Sequence, residues 1–300
     1  MTIRTIPSSE AGRAGMAAVR AMLAGRDDAA TLLPERRAGL EAFAAQAPAV
    51  KGVTMTEKVL GGRTSLRITP PDARGEVLFL HGGAYVLGSA RSHAGLAARY
   101  ALASGATFHV LDYRLAPEHP YPAALKDALA AWAELTGAGG SLALAGDSAG
   151  GGLSLATAIA LRDQGAHAPA AVAVTSPWCD LALSGESMET RAADEIMLSR
   201  AGLAQDADSY RGDRDSRDPA VSPLFADLTG LPPFFIQVGT HEVLLDDARR
   251  LHDRLETAGV PVTLETWDDM GHAWAAFGSA VPEAEASIRS FGAFLRDALA

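Results

Sequence analysis

An α/β fold built on a mostly parallel sheet is predicted by three observations. Short apolar runs alternate with helical patterns from residue 76 to the C-terminus. One such run ends in a glycine-rich turn, Gly146-Asp147-Ser148-Ala149-Gly150, that opens a helix. The chain is also long and apolar, with 300 residues of which 48% are hydrophobic. A chain of this size buries roughly three quarters of the surface its unfolded form exposes, as one large domain with insertions or as two smaller domains.

Composition excludes several function classes. A net charge of −10 leaves no basic stripe to neutralise phosphates, so nucleic acid is not an expected partner. The single cysteine, Cys179, excludes an internal disulfide and reads as a buried, inert thiol in a loop at a strand end. No apolar run approaches the roughly 18 residues that span a bilayer, and the N-terminus lacks a signal-peptide core. A cytoplasmic protein with no membrane partner is therefore the expectation.

In chain order, residues 1–50 read as mostly helical and lie outside the α/β alternation. Ser8 and Ser9 precede one helical pattern, through Met16, Val19 and Met22, and Pro34 opens a second that runs to Phe43. Alternating runs at Val53–Leu60 and Thr64–Thr69, joined by Gly61-Gly62, read as an antiparallel hairpin. Strands are then expected at Glu76–Leu80, Thr107–Leu111, Leu142–Ala145, Ala171–Thr175, Phe234–Val238 and Val262–Thr266. Helices are expected at Ala94–Ser104, Ala123–Leu135, from Leu153, at Asp247–Ala258 and at Glu283–Ala298. A charged interruption over 180–230, with a helix at Arg200–Tyr210, is too long for a plain loop and reads as a lid or cap insertion.

The turn at 146–150 carries the chemistry. A serine at the apex of a strand-to-helix turn often takes positive φ, and the residues two before and two after it must be small, a need met by Gly146 and Gly150. The helix behind Ser148 turns its free N–H groups toward the serine. A serine hydroxyl needs a base, and the base an orienting carboxylate. His272, after the last strand in Asp269-Met270-Gly271-His272, is the candidate base. His109 lies in a strand and His252 in a helix, where they pack or face solvent, while His93, His119 and His167 lie early or on helix flanks.

For the acid, Glu242 sits in the loop off the strand at 234–238 and is the first choice, with Asp246 second. Asp246 suits the N-cap of the next helix and Asp247 its first turn, which accounts for both without catalysis. Upstream, His81-Gly82-Gly83-Ala84 follows a strand, and its glycines leave backbone N–H groups free. The candidate oxyanion donors are Gly82, Gly83 and Ala149.

These motifs resemble the hormone-sensitive-lipase-like (family IV) bacterial esterases of the α/β-hydrolase superfamily. The resemblance runs from about residue 75 to the C-terminus, on the His81–Ala84 block, Asp112-Tyr113-Arg114-Leu115-Ala116-Pro117-Glu118, Gly146–Gly151 and Gly271-His272. It implies an α/β-hydrolase fold with an eight-stranded sheet and a helical cap. The cap would combine residues 1–50 with part of 180–230, and the catalytic domain would comprise 51–179 and 231–300. Arg114 and Glu118 are expected to pair and brace the loop behind the site. Many relatives carry Asp-Pro-Leu-x-Asp where this chain has Glu242-Val243-Leu244-Leu245-Asp246, which aligns Glu242 with the catalytic aspartate.

The implied activity is hydrolysis of short- to medium-chain acyl esters through a Ser148–His272–Glu242 triad, with no metal or organic cofactor. A lactone hydrolase, a metabolite acetyl hydrolase or, more remotely, an amidase shares the same carbonyl chemistry. A non-catalytic receptor, as in the plant gibberellin receptors that resemble this family, would lack the base that His272 supplies. Met16, Met22, Tyr85 and Trp178 either line the substrate pocket or pack in the core. The resemblance also allows a homodimer through the strand at 262–266 and the final helix.

Overall fold

A computed structural model describes residues 2–25, 29–137 and 139–300. One nine-stranded sheet runs through the molecule: β1 (Thr2–Ile6), β2 (Thr54–Leu60), β3 (Arg63–Thr69), β4 (Glu76–Leu80), β5 (Thr107–Leu111), β6 (Leu142–Asp147), β7 (Val172–Thr175), β8 (Phe234–Gly239) and β9 (Val262–Trp267). Their spatial order is β1-β9-β8-β7-β6-β4-β5-β3-β2. The β2–β3 and β3–β5 pairs are antiparallel and all others parallel. Nine α-helices are described: α1 (Glu10–Leu23), α2 (Leu33–Ala44), α3 (Ala94–Ser104), α4 (Ala123–Gly137), α5 (Ala149–Asp163), α6 (Ser187–Thr190), α7 (Arg200–Arg211), α8 (Leu245–Thr257) and α9 (Pro282–Ala298).

The continuous apolar runs have the reason expected of parallel strands, which are covered on both faces. Every residue of β5, β6, β7 and β8 is buried. Alternation along β4 divides two cores: Leu78 and Leu80 pack with residues of α4, α5 and α8, while Val77 and Phe79 pack with α3 and α9. A third cluster joins Met16, Val19 and Leu23 of α1 to Trp267, Met270 and Trp274, and so seats α1 beneath the loop that carries His272. Ser9 caps α1 by accepting the Gly12 N–H at 2.9 Å.

Two expectations are corrected here. The sheet has nine strands, not eight, because residues 2–6 form β1 ahead of the helices and pair in parallel with β9, Thr2 opposite Thr263 through Ile6 opposite Trp267. That pairing spans some 260 residues, and nothing in a five-residue segment announces its partner. It also means that the strand at 262–266 is interior to the sheet, so the edge that a dimer through it would need is already occupied. Among the described residues no helix is long and apolar enough to cross a membrane.

Candidate active site

Ser148 stands between β6 and α5 with φ 53° and ψ −124°, a conformation costly for a residue with a side chain. The surrounding backbone leaves no alternative. A Cβ on Gly146 would lie 2.4 Å from the Gly150 carbonyl oxygen, and one on Gly150 would lie 1.9 Å from the Leu80 carbonyl oxygen. Both glycines are there because β4, β6 and the start of α5 converge behind the serine.

Three of the predicted site residues meet in one hydrogen-bonded chain. His272 Nε2 is 3.0 Å from Ser148 Oγ, and His272 Nδ1 is 2.8 Å from Glu242 Oε2. The other Glu242 oxygen accepts the Ser176 hydroxyl at 2.8 Å and the Gly239 N–H at 2.7 Å. All of this is buried, with Glu242 fully excluded from solvent. A carboxylate on Nδ1 keeps the proton there and leaves the Nε2 lone pair facing the hydroxyl. Burial pulls the His272 pKa down, but the Glu242 hydrogen bond and charge, helped by the charges of Glu195 and Asp147, outweigh it and leave it above the ordinary histidine value.

The competing carboxylates are elsewhere. The N-cap of α8 is Leu244, which places Asp246 inside the first turn rather than at the cap; its carboxylate accepts the Ser187 N–H at 2.8 Å. Asp247 accepts the Cys179 and Asp180 N–H groups at 2.8 and 2.9 Å, and burial together with the Asp180 charge pushes its pKa up to about 8. Cys179 is buried beside it, and burial pushes its thiol well above the ordinary range.

The glycine loop after β4 departs from expectation at one residue. The Gly82 N–H donates to Asp147 Oδ1 at 3.0 Å, so it is turned away from the serine and is not an open donor. The Gly82 carbonyl accepts from His81 Nδ1 at 2.7 Å. Burial first, then the nearby His93, holds the His81 pKa down to about 3, so this ring is neutral and its one proton sits on Nδ1. Because the peptide unit is planar and trans, fixing the Gly82 carbonyl also aims the N–H of Gly83 in the opposite direction. Gly83, Ala84 and Tyr85 all have positive φ, at 119°, 53° and 64°. Among the described residues no hydrogen bond engages the N–H groups of Gly83, Ala84 or Ala149. The open N–H of Ala84 has no signal in the sequence, since an alanine does not announce positive φ.

A cavity of about 210 Å³ opens over Ser148 and His272. Its far side comes from both segments outside the α/β alternation, with Leu40 and Phe43 of α2 facing Met197, Leu198 and Leu203 from the 180–230 stretch. Arg36 of α2 and Asp206 of α7 form a two-pronged ion pair there, at 2.8 and 2.6 Å. None of Met16, Met22, Tyr85 or Trp178 lines the cavity: Met22 is exposed and the other three pack in the core.

The brace behind the loop also differs from expectation. Arg114 does not pair with Glu118; it takes Asp127 instead, with contacts of 3.0 and 2.7 Å. Glu118 is held by Arg37 of α2 at 2.7 and 2.8 Å, a hydrogen-bonded partner that lowers its pKa to about 2. Arg37 also donates to the carbonyls of Val86 at 2.7 Å and Ala116 at 2.9 Å, and so ties α2 to the glycine loop. The exposed charge pair itself is worth little. Arg37→Met should therefore act by releasing α2, raising KM several-fold with a smaller change in kcat, and lowering Tm by about 2–4 °C. Steady-state kinetics and a thermal melt check this, and an unchanged KM would refute it.

Comparison with known proteins identifies the family. The family model described as alpha/beta hydrolase fold matches residues 77–276. An esterase of the bacterial hormone-sensitive lipase (HSL) family superposes with a TM-score of 0.92 at 38% identity, covering 98% of this chain and 99% of its own. The chain belongs to the α/β-hydrolase family, among the hormone-sensitive-lipase-like esterases. It is similar to an acetyl-hydrolase of Streptomyces hygroscopicus, 49% identical over 74% of this chain and 75% of that protein. It is also similar to the carboxylesterase NlhH of Mycobacterium tuberculosis, 33% identical over 99% of this chain and 94% of that one. Another similar structure is EstE5 soaked with p-nitrophenyl butyrate, at a TM-score of 0.89 and 37% identity over 95% of this chain and 98% of that one. This α/β hydrolase is accordingly a carboxylic ester hydrolase.

Proposed function

We propose that this hydrolase cleaves short- to medium-chain acyl esters by nucleophilic catalysis at Ser148. The observation that carries the reading is the unbroken chain from Ser148 Oγ through His272 to Glu242. His272 Nε2 takes the hydroxyl proton as Ser148 Oγ bonds to the carbonyl carbon. The N–H groups of Gly83, Ala84 and Ala149 receive the oxyanion, with Ala84 in the place first assigned to Gly82. Collapse of the tetrahedral adduct breaks the bond to the alcohol oxygen, which leaves with the proton from His272. Water then attacks the acyl-serine with His272 again as base, releasing the acid and restoring the hydroxyl.

We read residues 1–50 and 180–230 as a two-part cap over a catalytic domain of 51–179 and 231–300, because α2 and the 197–206 stretch together close the cavity. At about 210 Å³ that cavity lies below the roughly 300–1,000 Å³ of sites for drug-sized ligands, which favours short acyl groups. The resemblance to an acetyl-hydrolase supports a second reading within this chemistry, an acetyl ester as the natural substrate.

Rates on p-nitrophenyl esters from acetate to palmitate test both. A peak at acetate with a steep fall by butyrate supports the acetyl reading. A plateau to about hexanoate supports the broader one, and a peak at palmitate overturns both. The pH profile adds a sign. The base works only when neutral, so kcat/KM should fall about tenfold per pH unit below the pKa of His272, and that limb should lie above the ordinary histidine value.

A further inference from the structure

The mechanism above leaves one buried ionisable group at the site without a task. His93, just ahead of α3, lines the same cavity as Ser148, and its ring stacks on that of His81 at 5.2 Å between centroids. Its Nε2 lies 3.6 Å from Oδ2 of Asp147, the carboxylate whose other oxygen holds the Gly82 N–H.

The groups around the ring favour its charged form. The Ser92 hydroxyl lies 3.0 Å from both the Ser89 carbonyl and His93 Nδ1; with its one proton on the carbonyl, it presents a lone pair to Nδ1. The Ser89 carbonyl, 3.3 Å from Nδ1, is likewise acceptor-only. In that arrangement a proton on Nδ1 satisfies both acceptors. On the other side Nε2 faces a carboxylate, where a bare lone pair would be repelled. Protons on both nitrogens meet all of these acceptors at once, and in that state His93 is an imidazolium.

We propose that His93 is a positioning residue whose positive charge holds the Asp147 carboxylate in place and cancels its field at the oxyanion formed on Ser148. The proposal rests on the esterase reading of Ser148. Asp147 is bonded in sequence to the nucleophile and anchors the glycine loop through Gly82, so its full negative charge sits beside the developing oxyanion. Paired with His93, it anchors the loop without opposing the reaction. Losing the His93 proton leaves a net negative charge beside the oxyanion.

The groups that face His93 agree in sign. Burial opposes its charge, but the nearby Asp147 carboxylate, the Ser89 carbonyl and Glu41 of α2 more than offset it, and its pKa is raised. His81 on β4 is neutral and adds no competing charge. Arg91 and Arg99 line the same cavity, the first held by Glu57 at 2.7 Å and the second 3.9 Å from Glu285. Activity should therefore decline as pH rises through the His93 pKa, giving an alkaline limb opposite the His272 limb.

Two measurements on the full-length chain test this. The first is the ¹⁵N spectrum of histidine-labelled protein at pH 7, with His93 identified by the signal lost in His93→Gln. Two protonated ring nitrogens are expected, and a neutral ring overturns the proposal whatever becomes of the esterase reading. The second is the pH profile on p-nitrophenyl acetate. In His93→Gln, kcat should fall about tenfold at pH 7 with KM little changed, short of the roughly 10²–10³ for losing an oxyanion donor. Its alkaline limb should vanish and its acidic limb move to higher pH, because the uncompensated Asp147 charge then acts on His272. In Asp147→Asn, which retains an acceptor for Gly82, the alkaline limb should move to lower pH. A uniform loss of rate with both limbs in place in the two variants overturns the proposal. A wild-type protein inactive on the whole ester series instead removes the esterase reading on which the kinetic arm rests.

Discussion

Ser148→Ala is expected to lower kcat for ester hydrolysis by a factor on the order of 10⁶. Among the described residues the hydroxyl is the one nucleophile within hydrogen-bond reach of His272 Nε2, at 3.0 Å, and alanine removes it while leaving the backbone path unchanged. The variant should fold normally, because among the described residues Ser148 Oγ bonds to no backbone group, and both glycines that shape the turn remain. A melt within about 2 °C of the parent, beside loss of turnover, separates chemistry from folding. Binding of a non-hydrolysable ester analogue should persist, since the cavity walls are untouched. Hydrolysis near the parent rate in a pure preparation would place the nucleophile elsewhere.

Glu242→Gln should cost about 10⁴ in kcat, by a specific route. One Glu242 oxygen accepts the Gly239 N–H at 2.7 Å, a donor with no second role. The glutamine must keep its carbonyl oxygen on that side, which forces its NH₂ toward His272 Nδ1. There it demands an acceptor, so the imidazole proton moves to Nε2 and faces Ser148. A base with its proton on the wrong nitrogen cannot accept another without becoming an imidazolium that no carboxylate supports. KM should change little, because Glu242 does not line the cavity. Asp246→Asn is the control: its carboxylate holds Ser187 and contributes only to local stability. Equal losses in the two variants, or a greater loss in Asp246→Asn, would overturn the assignment of Glu242.

How far the site is legible in the sequence depends on whether a residue's role is local. Ser148 is legible because its turn needs small residues at fixed offsets, and two glycines there have no other use. His272 is legible because it follows a strand and a glycine, late in the chain. Glu242 is legible as a loop carboxylate at a strand end, though separating it from Asp246 takes the hydrogen bond to His272. Gly82 and Ala84 illustrate the limit. A run of glycines shows that N–H groups are free to turn, but which one turns toward the serine is set by Asp147, 65 residues away. The same holds for Arg37, whose partners Val86, Ala116 and Glu118 lie 49 to 81 residues downstream, and for His93, which reads from sequence as one more histidine on a helix flank.

By itself the sequence determined the alternation of strands and helices, most of their limits, and which serine and histidine to look for at one site, because periodicity and turn chemistry act over a few residues. Tertiary structure alone decided that residues 2–6 close the sheet beside β9, that Asp127 rather than Glu118 takes Arg114, and which amides remain open above Ser148. The physical reason is common to all three. Strand pairing, ion pairing and the direction of a peptide N–H each depend on which groups meet across the fold, and several partners of suitable chemistry compete for each until packing selects one.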